Sequence, residues 1–235
     1  MSGKKEDEKV SPVTAFMKSE NKVISLVREL LWVAAVVGVI ALILFGVSGT
    51  WPAVVTIESE SMVPHMNVGD LVFVVAKDRF GDLQSREEGI ATGTVKFGDY
   101  GDVIVYKPNG ASSVHPIIHR ALVYVNAGET IQVPSGNNLT TYTAPSEGYI
   151  TKGDNNRVTD QLGWNDYRGL GRIAPVKNEW VVGKALFTVP ILGYLPLNIV
   201  PVAAIVIAIL VVHELYMSRR EKMAGPAKKS RKQKK

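Results

Sequence analysis

Ile117-Ile118-His119-Arg120-Ala121-Leu122-Val123-Tyr124-Val125 is the stretch on which the fold of this 235-residue chain turns. Nine residues rich in Ile, Val and Tyr, with Pro116 before them and Asn126 and Gly128 after, read as a β-strand. Alternation puts Ile117, His119, Ala121, Val123 and Val125 on one face. A single imidazole on an apolar face is ordinarily a hydrogen-bonded core residue. As a functional group it is a base that works near neutral pH, and the small Ala121 beside it leaves room for a substrate.

Working outward, Leu71–Ala76, Val103–Tyr106, Thr130–Val133, Tyr149–Thr151 and Trp180–Phe187 have the same character, separated by Gly, Pro, Asn and Asp clusters. No helical periodicity stands out between residues 52 and 190, and segments 77–98 and 134–148 read as extended loops rich in Gly, Ser and Thr. The expected domain is mainly β. It contains one glycosylation sequon, Asn138-Leu139-Thr140.

Two apolar runs flank that domain. Residues 30–47 and 195–212 are each eighteen residues without a charge. At 1.5 Å per residue each spans roughly 27 Å, close to the hydrocarbon thickness of a bilayer. Trp32 and Trp51 fall near the ends of the first, where interfacial aromatics belong. Pro196, Asn198 and Pro201 open the second, and prolines are tolerated in a first helical turn.

The net charge of +5 is unevenly spread: +1 over residues 1–29, −3 over 30–212 and +7 over 213–235. Basic flanks outside two spans place both termini in the cytoplasm and the acidic middle on the opposite face. The expected divisions are a cytoplasmic segment 1–29, a membrane helix 30–50, an extracytoplasmic β-rich domain 51–190, a second membrane helix 191–213 and a basic cytoplasmic tail 214–235. Residues 1–20 and 221–235 are polar and read as disordered. The basic tail directly follows an apolar segment, which favours a membrane over nucleic acid as its partner. With no cysteine, disulfides, thiolate metal sites and cysteine nucleophiles are excluded.

About ten residues beyond the first span lies Ser59-Glu60-Ser61-Met62-Val63-Pro64-His65. A serine before a proline is commonly a turn residue. Here it is also a nucleophile candidate held near a membrane surface. Of the four histidines, His65 and His115 adjoin prolines and read as exposed loop residues, and His213 sits at the end of the second span. His115 and His119 are four apart, but Pro116 argues against a helix and no Glu completes a metal-ligand set, so no metal is expected. The remaining element is Lys152-Gly153-Asp154-Asn155-Asn156-Arg157-Val158-Thr159-Asp160-Gln161, a strong turn signal carrying two carboxylates six residues apart. Such a loop can bring an acid to an imidazole on another strand, fixing its tautomer.

Taken in order, these pieces resemble the type I signal peptidases of the archaeal and endoplasmic-reticulum branch. The likeness covers most of residues 30–195. It runs through a first span, Ser59-x-Ser61-Met62-x-Pro64, Gly69-Asp70-Leu71-Val72, Gly101-Asp102-Val103-Ile104-Val105-Tyr106, Ile118-His119-Arg120, and Gly153-Asp154-Asn155-Asn156 with Asp160. The bacterial branch carries a lysine where this chain has His119. The resemblance implies a signal-peptidase/LexA-like β-fold with flanking transmembrane helices. It implies Ser61 as nucleophile, His119 as general base, and Asp160 ahead of Asp154 as the acid that orients the base. Ser59 matches an oxyanion-hole position, to be shared with the Ser61 N–H, although Glu60 replaces the more usual glycine between the serines.

The implied activity is membrane-bound serine endopeptidase cleavage of signal peptides from preproteins, after small residues at −1 and −3, without a cofactor. The implied partners are preprotein signal peptides, the lipid bilayer and the protein-translocation channel. The location is the cell membrane or endoplasmic-reticulum membrane, multi-pass, with the site on the extracytoplasmic face. Three other readings stand beside it. One is a Ser-Lys hydrolase using Lys107 or Lys152. Another is a non-catalytic, membrane-anchored β-module for interactions. The third is a soluble self-cleaving repressor of the LexA type, against which the two spans argue.

Overall fold

In the computed structural model, which describes residues 11–19 and 21–224, the chain begins with helix α1 (Pro12–Lys18) and helix α2 (Lys22–Ser48). Ser11 caps α1 by accepting from the Thr14 N–H. Asn21 caps α2 by accepting from the N–H groups of Val23 and Ile24. Of the segments expected to be disordered, 12–18 is helical and so are 221–224, while residues 1–10, 20 and 225–235 lie outside the described residues. Helix α2 starts eight residues ahead of the charge-free run, because the Asn21 cap rather than the hydropathy sets its first turn. It stops at Gly49, whose φ of 70° is the left-handed C-cap conformation and whose N–H donates to the Phe45 carbonyl at 2.8 Å.

Strands β1 (Val54–Thr56) and β2 (Leu71–Val75) follow, with the predicted serine segment between them. A short helix α3 (Arg86–Thr92) leads to the small hairpin β3 (Val95–Lys96) and β4 (Asp99–Tyr100). Then come β5 (Val103–Tyr106), β6 (Ile117–Val125), a second hairpin β7 (Thr130–Ser135) and β8 (Asn138–Thr143), and β9 (Gly148–Lys152). One turn of helix, α4 (Asp160–Gly163), precedes β10 (Val181–Val189), α5 (Tyr194–Leu197) and the long α6 (Ile199–Ala224).

The main sheet is antiparallel, six-stranded and open, in the order β1-β2-β10-β5-β6-β9. Strands β2 and β5 are buried on both faces, which is why they read as unbroken apolar runs. Val103 and Val105 of β5 pack with Ile57, Met62, Met66, Val72 and Val74 on one side; Ile104 and Tyr106 pack with Ala121, Tyr149, Ile173 and Val176 on the other.

Two segments expected to be loops carry regular structure. Helix α3 is closed by a capping box, with Ser85 Oγ accepting from the Glu88 N–H and Glu88 accepting from the Ser85 N–H. It is too short to display a period. Strand β8 exposes most of its side chains and buries only Tyr142, so no apolar alternation marks it. The expected face of β6 also divides. A bulge between Ala121 and Val123 shifts the pairing with β9, so Ile117, Ala121 and Tyr124 share one cluster, and Val123 and Val125 join Val133, Tyr142 and Ile150 in another.

Helix α2 (over Val23–Ser48) and helix α6 (over Ile199–Met217) are long and apolar enough to cross a membrane, and neither buries its apolar stretch in the protein. The second begins at Ile199 rather than at residue 195, since α5 and the non-helical Asn198 occupy the intervening positions. Pro201 lies in its first turn, where a missing N–H costs nothing.

The last turn of α2 is tied to the sheet. The Ala76 N–H donates to Ser48 O at 2.8 Å, Thr50 Oγ1 donates to Val182 O at 2.6 Å, and Arg79 donates to the Gly46 carbonyl. Strand β10 lies between β2 and β5 and approaches β2 closely at Gly183, where a Cβ would stand 2.4 Å from the Val75 carbonyl oxygen. Gly183→Ala should therefore lower unfolding stability by about 1–3 kcal/mol, the usual cost of overpacking a core. An unchanged urea midpoint in the purified protein would show that the two strands are not so tightly apposed.

Candidate active site

The segment from Ser59 is a compact turn. Ser59 is extended, and Glu60–Met62 makes one 3-10 turn, closed by the Val63 N–H to Glu60 O at 3.2 Å. The N–H groups of His65 and Met66 both donate to Met62 O at 3.0 Å. Met62 and Met66 are fully buried against the sheet and anchor the turn from below, leaving Ser61 at the surface of a cleft. Ser61 Oγ lies 3.2 Å from Ser59 Oγ, and both serines line the cleft.

His119 stands on β6 opposite Ile104 of β5 and is almost fully buried. Its Nδ1 is 2.7 Å from Asp160 Oδ2. That carboxylate, at the start of α4, is only 2 % exposed. The same oxygen accepts from Thr151 Oγ1 at 2.6 Å and from the Tyr106 hydroxyl at 2.8 Å. Burial, then the charge of Asp160, push the Tyr106 phenol well above its ordinary pKa, so it stays a donor. Gln161 clips the network to β9, accepting from the Thr151 N–H at 3.1 Å.

A carboxylate at Nδ1 makes that nitrogen the donor. The Nε2 lone pair is then free to accept a proton. Nε2 faces the serine turn across Gly153, where an added Cβ would lie 2.8 Å from His119 Nε2 and 2.6 Å from Ser61 O. In this arrangement the Ser61 hydroxyl is hydrogen-bonded to Ser59 rather than to His119. Contacts of a nucleophile with its base commonly tighten only when substrate binds.

Asp154 occupies a different place. Its carboxylate takes a two-point contact from Arg120, with Nε to Oδ1 at 2.9 Å and Nη2 to Oδ2 at 2.7 Å. His65 Nδ1 is also 2.7 Å from Oδ2. Of the two acids expected near the base, the structure brings Asp160 to His119 and takes Asp154 to Arg120, because neighbouring residues of a strand point to opposite faces. Arg120 is completely buried, and its remaining N–H groups donate to the carbonyls of Lys96, Phe97, Asp99, Tyr100 and Gly101.

Next to Asp154, Asn155 reaches the serine turn. Its N–H donates to Ser61 O at 2.9 Å and its Nδ2 to Glu60 O at 3.1 Å. Lys152 closes the loop by donating to Gly153 O at 2.9 Å and Asn156 O at 2.8 Å. Its pKa is lowered by burial, against the opposing pull of Asp154 and Asp160. Lys152 and Lys107, the two lysines considered as alternative bases, do not line the cleft that holds Ser61.

The cleft has a volume of about 710 Å³. Val55, Thr56 and Glu58 line it from β1 and the residues just beyond, Trp164 and Tyr167 from the loop after α4, and Pro196 and Leu197 from α5. His115 is an exposed loop residue as expected, although it also lines the cleft, 3.5 Å from Glu58. Among the described residues no cluster of three or more His, Asp or Glu side chains is arranged to hold a metal ion.

Sequence reasoning missed Tyr106 and Thr151, whose polar atoms act across strands and leave no local pattern. It also read His65 as a bystander. The Pro-His adjacency that suggested a loop gives no sign of the carboxylate 89 residues away.

Gly153 makes the geometry testable. A methyl group there collides with a backbone carbonyl on one side and the base nitrogen on the other. Gly153→Ala should cut any Ser61-dependent activity about 100-fold, the usual scale for a displacement near 1 Å, while the protein stays folded by circular dichroism. Full activity in that variant would mean that His119 and Ser61 do not work together. No protein-family model and no curated protein matches this chain.

Proposed function

We propose that this chain is a membrane-anchored serine endopeptidase of the type I signal peptidase kind, in its Ser-His branch, removing signal peptides from secreted and membrane preproteins. The observation that carries the reading is the buried Asp160–His119 pair, whose free Nε2 faces the Ser61 turn across Gly153 at the wall of a peptide-sized cleft. The antiparallel β-domain is compatible with the signal-peptidase/LexA-like fold. The two apolar helices give a reason for a nucleophile to be held near a bilayer.

The chemistry follows from the side chains. His119 Nε2 takes the Ser61 proton as Oγ attacks the scissile carbonyl, since an unactivated hydroxyl is a poor nucleophile at neutral pH. Asp160 holds the ring and stabilises the imidazolium while remaining ionised. The Ser61 N–H and the Ser59 hydroxyl are the donors assigned to the oxyanion, each worth about 3–4 kcal/mol in such sites. The imidazolium then protonates the leaving amine as the C–N bond breaks. Water, deprotonated by the same nitrogen, releases the acyl group from Ser61. The choice of small residues at −1 and −3 comes from the family resemblance. No cofactor enters these steps. The lipid bilayer and the translocation channel that delivers preproteins are the surroundings this reading assigns.

Both outer flanks of the helices are basic, which supports a cleft on the extracytoplasmic face. The test is cleavage of a preprotein in detergent or membranes. Wild type should cleave it, and Ser61→Ala and His119→Ala should fall to background. Asp160→Asn should lose about 10⁴-fold through the wrong tautomer. Asp154→Asn should differ in kind: it breaks a buried ion pair with Arg120, and its main signature is a stability loss of about 3–5 kcal/mol. Retained cleavage in Ser61→Ala would remove the mechanism. A well-folded wild type inactive on several preproteins would favour the interaction module.

A further inference from the structure

We propose that His65 is a positioning residue that fastens the Ser61 turn to the buried Asp154–Arg120 pair, an assignment that rests on the peptidase reading above for its effect on rate. Nothing in the proposed chemistry uses His65, yet its ring is committed. Nδ1 lies 2.7 Å from Asp154 Oδ2, a carboxylate that Arg120 already holds in a fixed orientation. The ring is packed so closely against the β3–β4 turn that a Cβ on Gly98 would come within 2.5 Å of its Cδ2. Through its backbone, His65 belongs to the same turn as Ser61, closed by its N–H to Met62 O at 3.0 Å.

Two tethers therefore join the 153–155 loop to the serine turn. Asn155 grips the chain at Glu60 O and Ser61 O, on the N-terminal side. Asp154 grips it at His65, on the C-terminal side. One tether leaves a turn free to pivot; two on either side of Met62 fix its rotation. The rotation of this turn sets the direction in which the Ser61 Cα–Cβ bond points, and with it the approach of Oγ to His119 Nε2. The second tether is anchored well, since Arg120 is completely buried and spreads its other N–H groups over five carbonyls of the 96–101 segment. The two carboxylates of one loop thus divide the work: Asp160 orients the base and Asp154, through His65, orients the nucleophile.

The discriminating variants are His65→Leu, which removes the donor, and His65→Asn, whose Nδ2 can stand where Nδ1 stood. On a preprotein substrate, His65→Leu should lower kcat about 10- to 100-fold with KM within about twofold, since no cleft contact is lost. His65→Asn should recover most of the rate. A readout independent of catalysis is amide hydrogen exchange in detergent. The N–H groups of Val63, Met66 and Asn155 should exchange about tenfold faster in His65→Leu, the effect of one lost charge-assisted hydrogen bond, and near the wild-type rate in His65→Asn.

Unchanged kcat and exchange in His65→Leu, or a His65→Asn variant as impaired as His65→Leu, would overturn the proposal. If His65→Leu does not fold, His65→Gln replaces it. Its nitrogen lies one bond farther out, so Asn working where Gln fails supports the tether and equal loss in both refutes it. The exchange pattern decides the tether even if wild type cleaves nothing, whereas cleavage by Ser61→Ala refutes the peptidase reading alone.

Discussion

One buried oxygen organises the centre of this molecule. Asp160 Oδ2 lies in a site with almost no solvent, where an unpartnered carboxylate would be strongly disfavoured. It is tolerated because three donors converge on it: Tyr106 from β5, His119 from β6 and Thr151 from β9. The donors come from three adjacent strands, so the contact constrains their register. His119 pairs with Ile104 and Ala121 with Thr151. A slip of one residue would turn any of these polar groups to the other face and leave the charge exposed to an apolar interior. The condition for a carboxylate-paired His119 is thus the same as the condition for a correctly registered sheet.

The opposite face of β6 repeats the arrangement with the charges reversed in depth. Arg120, next in sequence to His119, is a fully buried cation that needs an acid, and Asp154 supplies it. A buried ion pair adds little net stability, because desolvation offsets most of the attraction. Its value here is geometric. The guanidinium, with five N–H donors in one plane, fixes at once the β3–β4 segment and the loop that touches the serine turn. Removing Asp154 leaves Arg120 with only Asp99, whose Oδ2 is 4.0 Å from Nε, and unties the loop from the guanidinium. Lys184, buried beside Asp102 and donating to Gly81 O and Asp82 O, holds the 81–84 segment in a similar way.

Much of this was legible in the sequence wherever burial is two-sided or turn chemistry is local. The apolar runs of β2 and β5 mark strands because both faces are covered. The Gly-Asp-Asn-Asn turn is a turn for reasons internal to it. Ser61, His119 and Asp160 could be selected from residue type and order; His119 and Asp160 are in contact, and Ser61 lines the same cleft as His119. The separate partners of Asp154 and Asp160 were not legible in the residues themselves, since both are acids in one loop; the family resemblance alone ranked Asp160 first, and the direction of Arg120 is what separates them. Tyr106, Thr151 and His65 were hidden because their polar contacts cross 9 to 89 positions of sequence. The bulge after Ala121 was invisible, as an extra residue in a strand leaves its composition unchanged. Helix α3 carries one local signal, the capping signature Ser85-x-x-Glu88, while its seven residues are too few to show a period.

The attachment of the apolar helices bears on how a bilayer would meet the cleft. Helix α2 ends against Ala76, just past the C-terminal end of β2. The segment leading into α5 and α6 meets the other end, where the Gly193 N–H donates to Gly69 O at 2.9 Å and the Tyr194 ring covers Gly69. The two attachments are separated by a strand of five residues, roughly 17 Å at 3.4 Å per residue. Under the proposed topology, with both helices entering one membrane from the same side, a strand held at each end by a membrane helix lies along the surface rather than standing away from it. Strand β1 pairs with that strand and carries Val55 and Thr56 into the cleft wall, while Pro196 and Leu197 bring α5 to the same wall. A peptide leaving the bilayer would therefore pass from lipid to the Ser61 turn along protein that is itself bounded by lipid. Under the proposed function, that short path would favour cleavage of a substrate still anchored in the membrane over one already free in solution.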